Sequence, residues 1–245
     1  MSKRKLIHIG TSGWHYQHWK GPFYPEELSD KFLFKHYTKF FQTAEINNTF
    51  YQMPEQRTFA HWRDSAPDGF LFSVKASRYI THMKKLKDPD EPIFNFINGV
   101  TALGDKLGPI LFQLPPKWNF NLERLWIFLN ALPGDYRYAF EFRDTSWFGN
   151  QTEEALAEKG AAFCIYDFEQ RQSPRSITSD FIYIRLHGPD GAYKGRYEDK
   201  ALSDWAEAFL SWADEGKEIF CYFDNDEKGY AAQNALKLKD LLEDK

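Results

Sequence analysis

Seven short apolar segments of this chain end in side chains that can move protons, hold anions or donate hydrogen bonds. Several come in pairs two residues apart: Glu45 with Asn47, Ser73 with Lys75, Glu141 with Arg143, and Arg185 with His187. Gln113, Asp167 and the run Asp224-Asn225-Asp226 occupy equivalent places. In an extended strand residues two apart share a face, so each pair projects together. Paired carboxylates equip a site for general acid–base work, and a nearby lysine can neutralise a developing oxyanion. Glu45 and Glu141 are therefore predicted as acid and base, with Lys75 as electrostatic stabiliser. Arg143, Arg185 and His187 are assigned to anion and hydroxyl binding, and Asn47 and Gln113 to orienting the ligand. Trp14, Tyr51 and Tyr193 are assigned to walling the ligand, and Asp167 and Asn225 complete the ligand-binding set. The acids Glu45, Glu141 and Asp167 balance the cations Lys75, Arg143 and Arg185, which suits a polar or anionic substrate. The bland alternatives are strand-end caps and mutual salt bridges that only rigidify the fold.

These residues need elements to position them. Strand segments are predicted at Leu6–Ser12, Thr43–Asn47, Phe70–Ser77, Pro109–Leu114, Tyr138–Arg143, Ala162–Asp167, Phe181–His187 and Glu218–Asp224, each short and rich in Ile, Phe, Val or Tyr. Helical periodicity runs over Asp30–Phe41, Glu55–Ala66, Pro92–Leu107, Leu122–Leu132, Thr152–Lys159, Leu202–Glu215 and Tyr230–Glu243. Phe168–Ser179 has no helical pattern. Strands alternating with helices imply parallel pairing and right-handed crossovers. The expected fold is α/β, a single (β/α)8 TIM-type barrel domain over residues 1–245, since such barrels run to about 250 residues. An open doubly wound sheet is less favoured, because Gly10-Thr11-Ser12-Gly13-Trp14 lacks the dinucleotide fingerprint. In a parallel barrel the strand ends meet at one mouth, where enzymes of this fold keep their sites.

Composition narrows the partners. Lys+Arg 31 against Asp+Glu 35 leaves a net charge of -4, which disfavours nucleic acid as a partner because backbone binding needs concentrated positive charge. A mean hydropathy of -0.61 and the absence of a long apolar run exclude a membrane-spanning helix. The basic start Met1–Lys5 precedes too short and polar a stretch for a signal sequence, so a cytoplasmic protein is expected. Cys164 and Cys221 are too few for a disulfide framework and read as buried thiols. Aromatic residues reach 18%, enough to fill the core and leave rings for stacking after the strand ends. Two stretches have the composition of anion holders: the glycine-rich loop His187–Tyr197, and Asp226–Gly229 ahead of a helix start. The long connection Ala76–Glu91 carries Lys84, Lys85 and Lys87 and reads as a lid or partner element. No cofactor is identified, and a metal-free site is expected because Lys75, Arg143 and Arg185 compete for the same carboxylates.

The chain also resembles a known family. The segments that carry the likeness are Ile9–Trp14, Glu45–Tyr51, Phe72–Ala76, Ile80–His82, Gln113–Pro116, Glu141–Arg143, Tyr183–Gly188 and Phe223–Asp226. In their order and spread they resemble the bacterial and archaeal proteins grouped as domain of unknown function 72. The resemblance implies a (β/α)8 barrel and supplies no reaction, so function rests on the site. The favoured reading is an enzyme using acid–base chemistry on a small polar ligand, phosphorylated or carbohydrate-like. A nucleic-acid or protein binding module is the alternative, followed by a metal-dependent hydrolase, isomerase or endonuclease.

Overall fold

The computed structural model describes residues 6–243. Eight strands alternate with helices: β1 (Ile7–Thr11), β2 (Thr43–Ile46), β3 (Leu71–Lys75), β4 (Leu107–Gln113), β5 (Tyr138–Glu141), β6 (Ala162–Phe168), β8 (Phe181–Leu186) and β9 (Glu218–Phe223), with a two-residue β7 (Arg171–Gln172) between the last three. The sheet order is β1-β9-β8-β6-β5-β4-β3-β2, with Ser12 bridging to Glu45, and the β1–β9, β8–β9, β3–β4, β4–β5 and β5–β6 pairs are parallel. This is the (β/α)8 TIM-type barrel fold that the strand count predicts. Backbone contacts divide the chain into two compact units. Unit 1 is Met1–Glu45, Ile165–Ser173 and Asp180–Lys245; unit 2 is Ile46–Cys164 and Pro174–Ser179.

Unit 1 builds its core on β8 and β9, whose residues Ile182, Tyr183, Ile184, Phe220, Cys221 and Tyr222 are all buried. Helix α6 (Asp199–Asp214) covers them with the stripe Leu202, Trp205, Phe209 and Ala213, spaced three and four apart. Helix α7 (Tyr230–Glu243) has the predicted bounds. Gly10 is required in β1, because a Cβ there would lie 2.3 Å from the Thr43 carbonyl oxygen. The predicted helix Asp30–Phe41 shortens to a 3-10 turn and α1 (Leu33–Tyr37). Its end tightens because Lys39 and Phe40 donate to carbonyls three residues back. The non-helical stretch after β6 is a hairpin to β7, turned by Glu169 and Gln170 at φ 51° and 61°. Two left-handed residues in a two-residue loop match a type I′ turn, hidden in the sequence because neither is Asn or Gly.

Unit 2 packs β3, β4 and β5 against α2 (Gln56–Ser65), α3 (Asp90–Val100), α4 (Leu122–Ala131) and α5 (Asn150–Glu158). Proline sets the first of these limits, since α2 lies between Pro54 and Pro67. Helix α3 carries Pro92 in its first turn, where no intrahelical donor is lost. Asn121 caps α4 by accepting from the Arg124 amide at 2.8 Å. Trp147, 1% exposed, donates its indole N–H to the Trp118 carbonyl, so these loop aromatics serve as anchors. Among the described residues no helix is long and apolar enough to cross a membrane.

Candidate functional site

In unit 1 the strand ends converge on Glu45, which is wholly buried. Ser12 Oγ donates to its Oε1 at 2.7 Å and Tyr183 OH to its Oε2 at 2.7 Å. Arg185 donates from Nη2 to Oε1 at 2.8 Å and from Nε to Oε2 at 3.0 Å. The same Nη2 reaches Asp224 Oδ2 at 3.0 Å, and Arg185 Nη1 lies 3.3 Å from His187 Nε2. A guanidinium only donates, so Nε2 is the acceptor in that contact, and His187 Nδ1 lies 2.9 Å from Asp224 Oδ2. Tyr16 donates to the Ser12 carbonyl at 2.5 Å. Burial, reinforced by the carboxylates of Asp224, Asp226 and Glu45, pushes its phenol far above the ordinary tyrosine range. These hydrogen bonds fix the Glu45 carboxyl group against Arg185.

Strand parity explains this set. Tyr183, Arg185 and His187 alternate along β8 and beyond it, as do Thr43 and Glu45 in β2, and Tyr222 and Asp224 at the end of β9. Thr43 Oγ1 and Tyr222 OH share a hydrogen bond of 2.7 Å on that same face. Asp224 therefore faces Arg185, whereas Asn225 faces the other way. Asn225 Nδ2 donates to the Gly195 carbonyl and to Asn234 Oδ1, both at 2.9 Å, which ties the loop after β8 to α7. Asp167 lies in a further network: Tyr197 OH donates to it at 3.3 Å while accepting from the Gly188 amide at 3.0 Å. Burial raises the Asp167 carboxyl, partly offset by hydrogen bonds from Tyr197 and Gln172. Tyr193, 44% exposed, stands edge-on to His187 with ring centroids 5.6 Å apart. Trp14 packs against Phe34, and its carbonyl accepts from Tyr24 at 2.5 Å. The two anion-holder stretches meet each other: the Gly195 amide donates to Glu227 Oε2 at 3.4 Å.

Unit 2 holds the other predicted residues. Glu141, wholly buried at the end of β5, pairs with Arg143 Nε, and Cys164 Sγ lies 3.9 Å from its Oε2. Gln113 is level with Glu141 in the β4–β5 register, and Lys75 is level with Leu111 in the β3–β4 register. Lys75, 8% exposed, places Nζ 4.4 Å from the centre of the Phe50 ring. Asn47 Oδ1 is buried without a hydrogen-bond partner. Tyr51 is 75% exposed and lines a shallow recess with Asn48, Gln52 and Arg57. The ring that meets the charged cluster is its neighbour Phe50. His82 stands edge-on to Phe50 at 4.9 Å. Burial first, then the charges of Lys75 and Arg78, depress its pKa to about 4 against the opposing pull of Glu141.

Ser12, Tyr183, Phe50 and His82 lie outside the predicted site residues, whereas Asp224 belongs to the strand-end run Asp224-Asn225-Asp226, of which the sequence leaves open whether Asp224 or Asn225 faces inward. Parity with Glu45, Arg185 and Tyr222 pointed to Tyr183 and Asp224; nothing in the local sequence favoured Phe50 over Tyr51. Among the described residues no group of three or more His, Cys, Asp or Glu is arranged to hold a metal ion.

Comparison with known proteins agrees with this fold. The family model described as "Protein of unknown function DUF72" matches residues 8–245. UPF0759 protein YunF of Bacillus subtilis (strain 168) is 27% identical, over 97% of this chain and 95% of its own length. UPF0759 protein YecE of Escherichia coli (strain K12) is 29% identical over 63% of this chain, which covers 55% of that protein. The crystal structure of a DUF72 family protein from Thermotoga maritima MSB8 superposes with a TM-score of 0.88 at 32% identity, over 97% of this chain and 99% of that one. One from Enterococcus faecalis V583 has the same fold, with a TM-score of 0.84 at 21% identity, over 97% and 95% of the two chains. A TIM-type strand order and a family match across residues 8–245 together make this chain a member of the DUF72 family.

Proposed function

We propose that this chain is a cytoplasmic enzyme that uses acid–base chemistry on a small polar ligand, phosphorylated or carbohydrate-like. The observation that carries the reading is the buried Glu141 pinned by Arg143, in a unit that also buries Lys75 over the Phe50 ring. Withdrawing charged groups from water is unfavourable for a fold, and a structural pair needs only one partner for each carboxylate. A buried ammonium held over an aromatic ring is of use where negative charge develops during reaction. Glu141 is the proton-transferring group, Lys75 the oxyanion stabiliser, and Asn47 and Gln113 offer amides to ligand hydroxyls. In unit 1, Glu45 is the anion that holds Arg185, and His187 and Tyr193 offer a hydrogen-bonding and stacking face.

Calorimetric screening of sugar phosphates, neutral sugars and nucleotides, with and without added divalent metal, tests this reading. At least one sugar or sugar phosphate is expected to bind and turn over without metal. Lys75→Met is expected to weaken binding about tenfold, one charge-assisted contact, and Glu141→Gln to abolish turnover with binding retained. Activity only with added metal would replace acid–base chemistry with metal-assisted chemistry. Equal turnover in both variants would overturn the roles assigned here.

A further inference from the structure

Two of the well-exposed tyrosines among the described residues, Tyr51 at 75% and Tyr79 at 48%, line recesses of unit 2. The first recess, about 480 Å³, is bounded by Tyr51 with Asn48, Gln52 and Glu55. The second, about 170 Å³, is bounded by Tyr79 with Glu91 and Asn95. Met53 lines both, so the two share a wall. Exposed apolar surface rimmed by polar groups in this way marks a binding site.

The backbone holds each ring in place. Tyr51 follows the 3-10 turn Asn48–Phe50, and its amide donates to the Asn48 carbonyl at 3.0 Å. Thr49, wholly buried in that turn, fastens it to β3 by donating to the Lys75 carbonyl at 2.6 Å. The Tyr51 ring stands edge-on to Phe50 at 5.1 Å, the same ring that carries Lys75. Tyr79 opens a single π-helical turn, Tyr79–Met83, and its amide donates to Ser77 Oγ at 3.2 Å. Met53 is seated against α3 at Gly99, where a Cβ would collide with the Met53 methyl. Platforms set before a ligand arrives reduce the ordering cost of binding it.

The side chains of Asn48, Gln52, Glu91 and Asn95 make no hydrogen bond or ion pair among the described residues. An amide or carboxylate spans two neighbouring hydroxyls, each of which both donates and accepts. Among the described residues lining the two recesses Arg57 is the only cation, and its Nε is held by Glu55 Oε2 at 2.6 Å. Lys84, 5.9 Å from the centre of the Tyr79 ring, pairs with Asp88 at 3.5 Å. A phosphate backbone needs open cations, and the carboxylates here repel it. A sugar ring, with a C–H face to lay on an aromatic ring and hydroxyls around its edge, matches platform and rim together.

We propose that the two recesses are adjoining sugar subsites, with Tyr51 stacking on one residue of an oligosaccharide and Tyr79 on the next. This rests on the carbohydrate side of the reading above and narrows its substrate class to saccharides of two or more residues. The test is NMR of protein carrying labelled tyrosine rings, titrated with glucose, N-acetylglucosamine, maltose, cellobiose and N,N′-diacetylchitobiose. At least one disaccharide is expected to shift the Tyr51 and Tyr79 ring signals together and to bind about tenfold more tightly than its own monosaccharide. Tyr51→Ala is expected to weaken that binding about tenfold, one stacking contact, whereas Tyr51→Phe keeps the ring and holds it within about twofold. Tyr51 is exposed, so both variants keep the fold. No shift with any of these sugars, a shift at one ring alone, or equal binding by Tyr51→Ala overturns the proposal. So does a single-stranded oligonucleotide that shifts both rings where the sugars do not. Turnover of a sugar with both rings unmoved removes the subsites and leaves the enzyme reading intact. Disaccharide binding at both rings with no turnover in any condition does the reverse.

Discussion

Glu45 and Glu141 are both wholly buried carboxylates at strand ends, each beside an arginine, yet their surroundings differ in kind. Glu45 accepts from Ser12, Tyr183 and Arg185, and Arg185 extends the network to Asp224 and His187. Glu141 is held by Arg143, only two residues further along the chain. The unit that holds it also places Lys75 over the Phe50 ring and His82 edge-on to that ring. Bonds from three side chains onto one carboxylate give rigidity. On the function proposed above, the first region is framework and the second the place for chemistry.

The largest effect expected from this contrast is on stability. Glu45→Ala removes a carboxylate partner of the buried Arg185 guanidinium, and such losses destabilise by about 3–5 kcal/mol. Denaturant unfolding should register that loss, together with a fall in melting temperature. A loss below about 1 kcal/mol would return Glu45 to the role of a proton carrier with slack in its contacts. Next in size is Tyr183→Phe, which removes one hydrogen bond to a charged acceptor and is expected to destabilise by about 1.5–3 kcal/mol. A double-mutant cycle with Ser12→Ala checks whether the bonds to Glu45 act as a unit, since independent sites add within about 0.5 kcal/mol.

The smallest effect separates the two regions by pH. The folded His82 titrates near 4, below the ordinary histidine value of 6.5, so the unfolded chain binds its proton first as pH falls. Stability is therefore undiminished above pH 6.5, declines as pH drops through the window, and levels off below about 4. His82→Gln should flatten the stability profile across that window and leave it unchanged at pH 7 and above. A wild-type slope that persists in the variant would assign it to groups other than His82, and not to the raised carboxyls of Asp167 and Asp226. Those act with the opposite sign: each favours folding when protonated, an advantage lost as pH rises through the raised value.

Much of the fold was legible in local sequence. The alternation of short apolar runs with helical periods returned the eight long strands, and Pro54 and Pro67 bracketed α2. The site was legible as a set of strand ends and less so as a set of partners. Asn225 and Tyr51 show why: each lies beside the residue that joins the cluster, and neighbours in a strand or turn face apart. His82 was missed because a π-turn obeys neither the strand nor the helix period, and its low pKa arises from cations on other elements.

The sequence by itself determined the (β/α)8 architecture, the family and the faces on which charged residues lie, because hydrophobic period and proline stereochemistry act within a few residues. Tertiary structure alone decided which charge meets which. Glu45 and Arg185 are separated by 140 residues, and no local rule distinguishes that pairing from Glu45 with Arg143. Burial was decided there too, and burial is what raises the Asp167 carboxyl in one unit and depresses the His82 imidazole in the other.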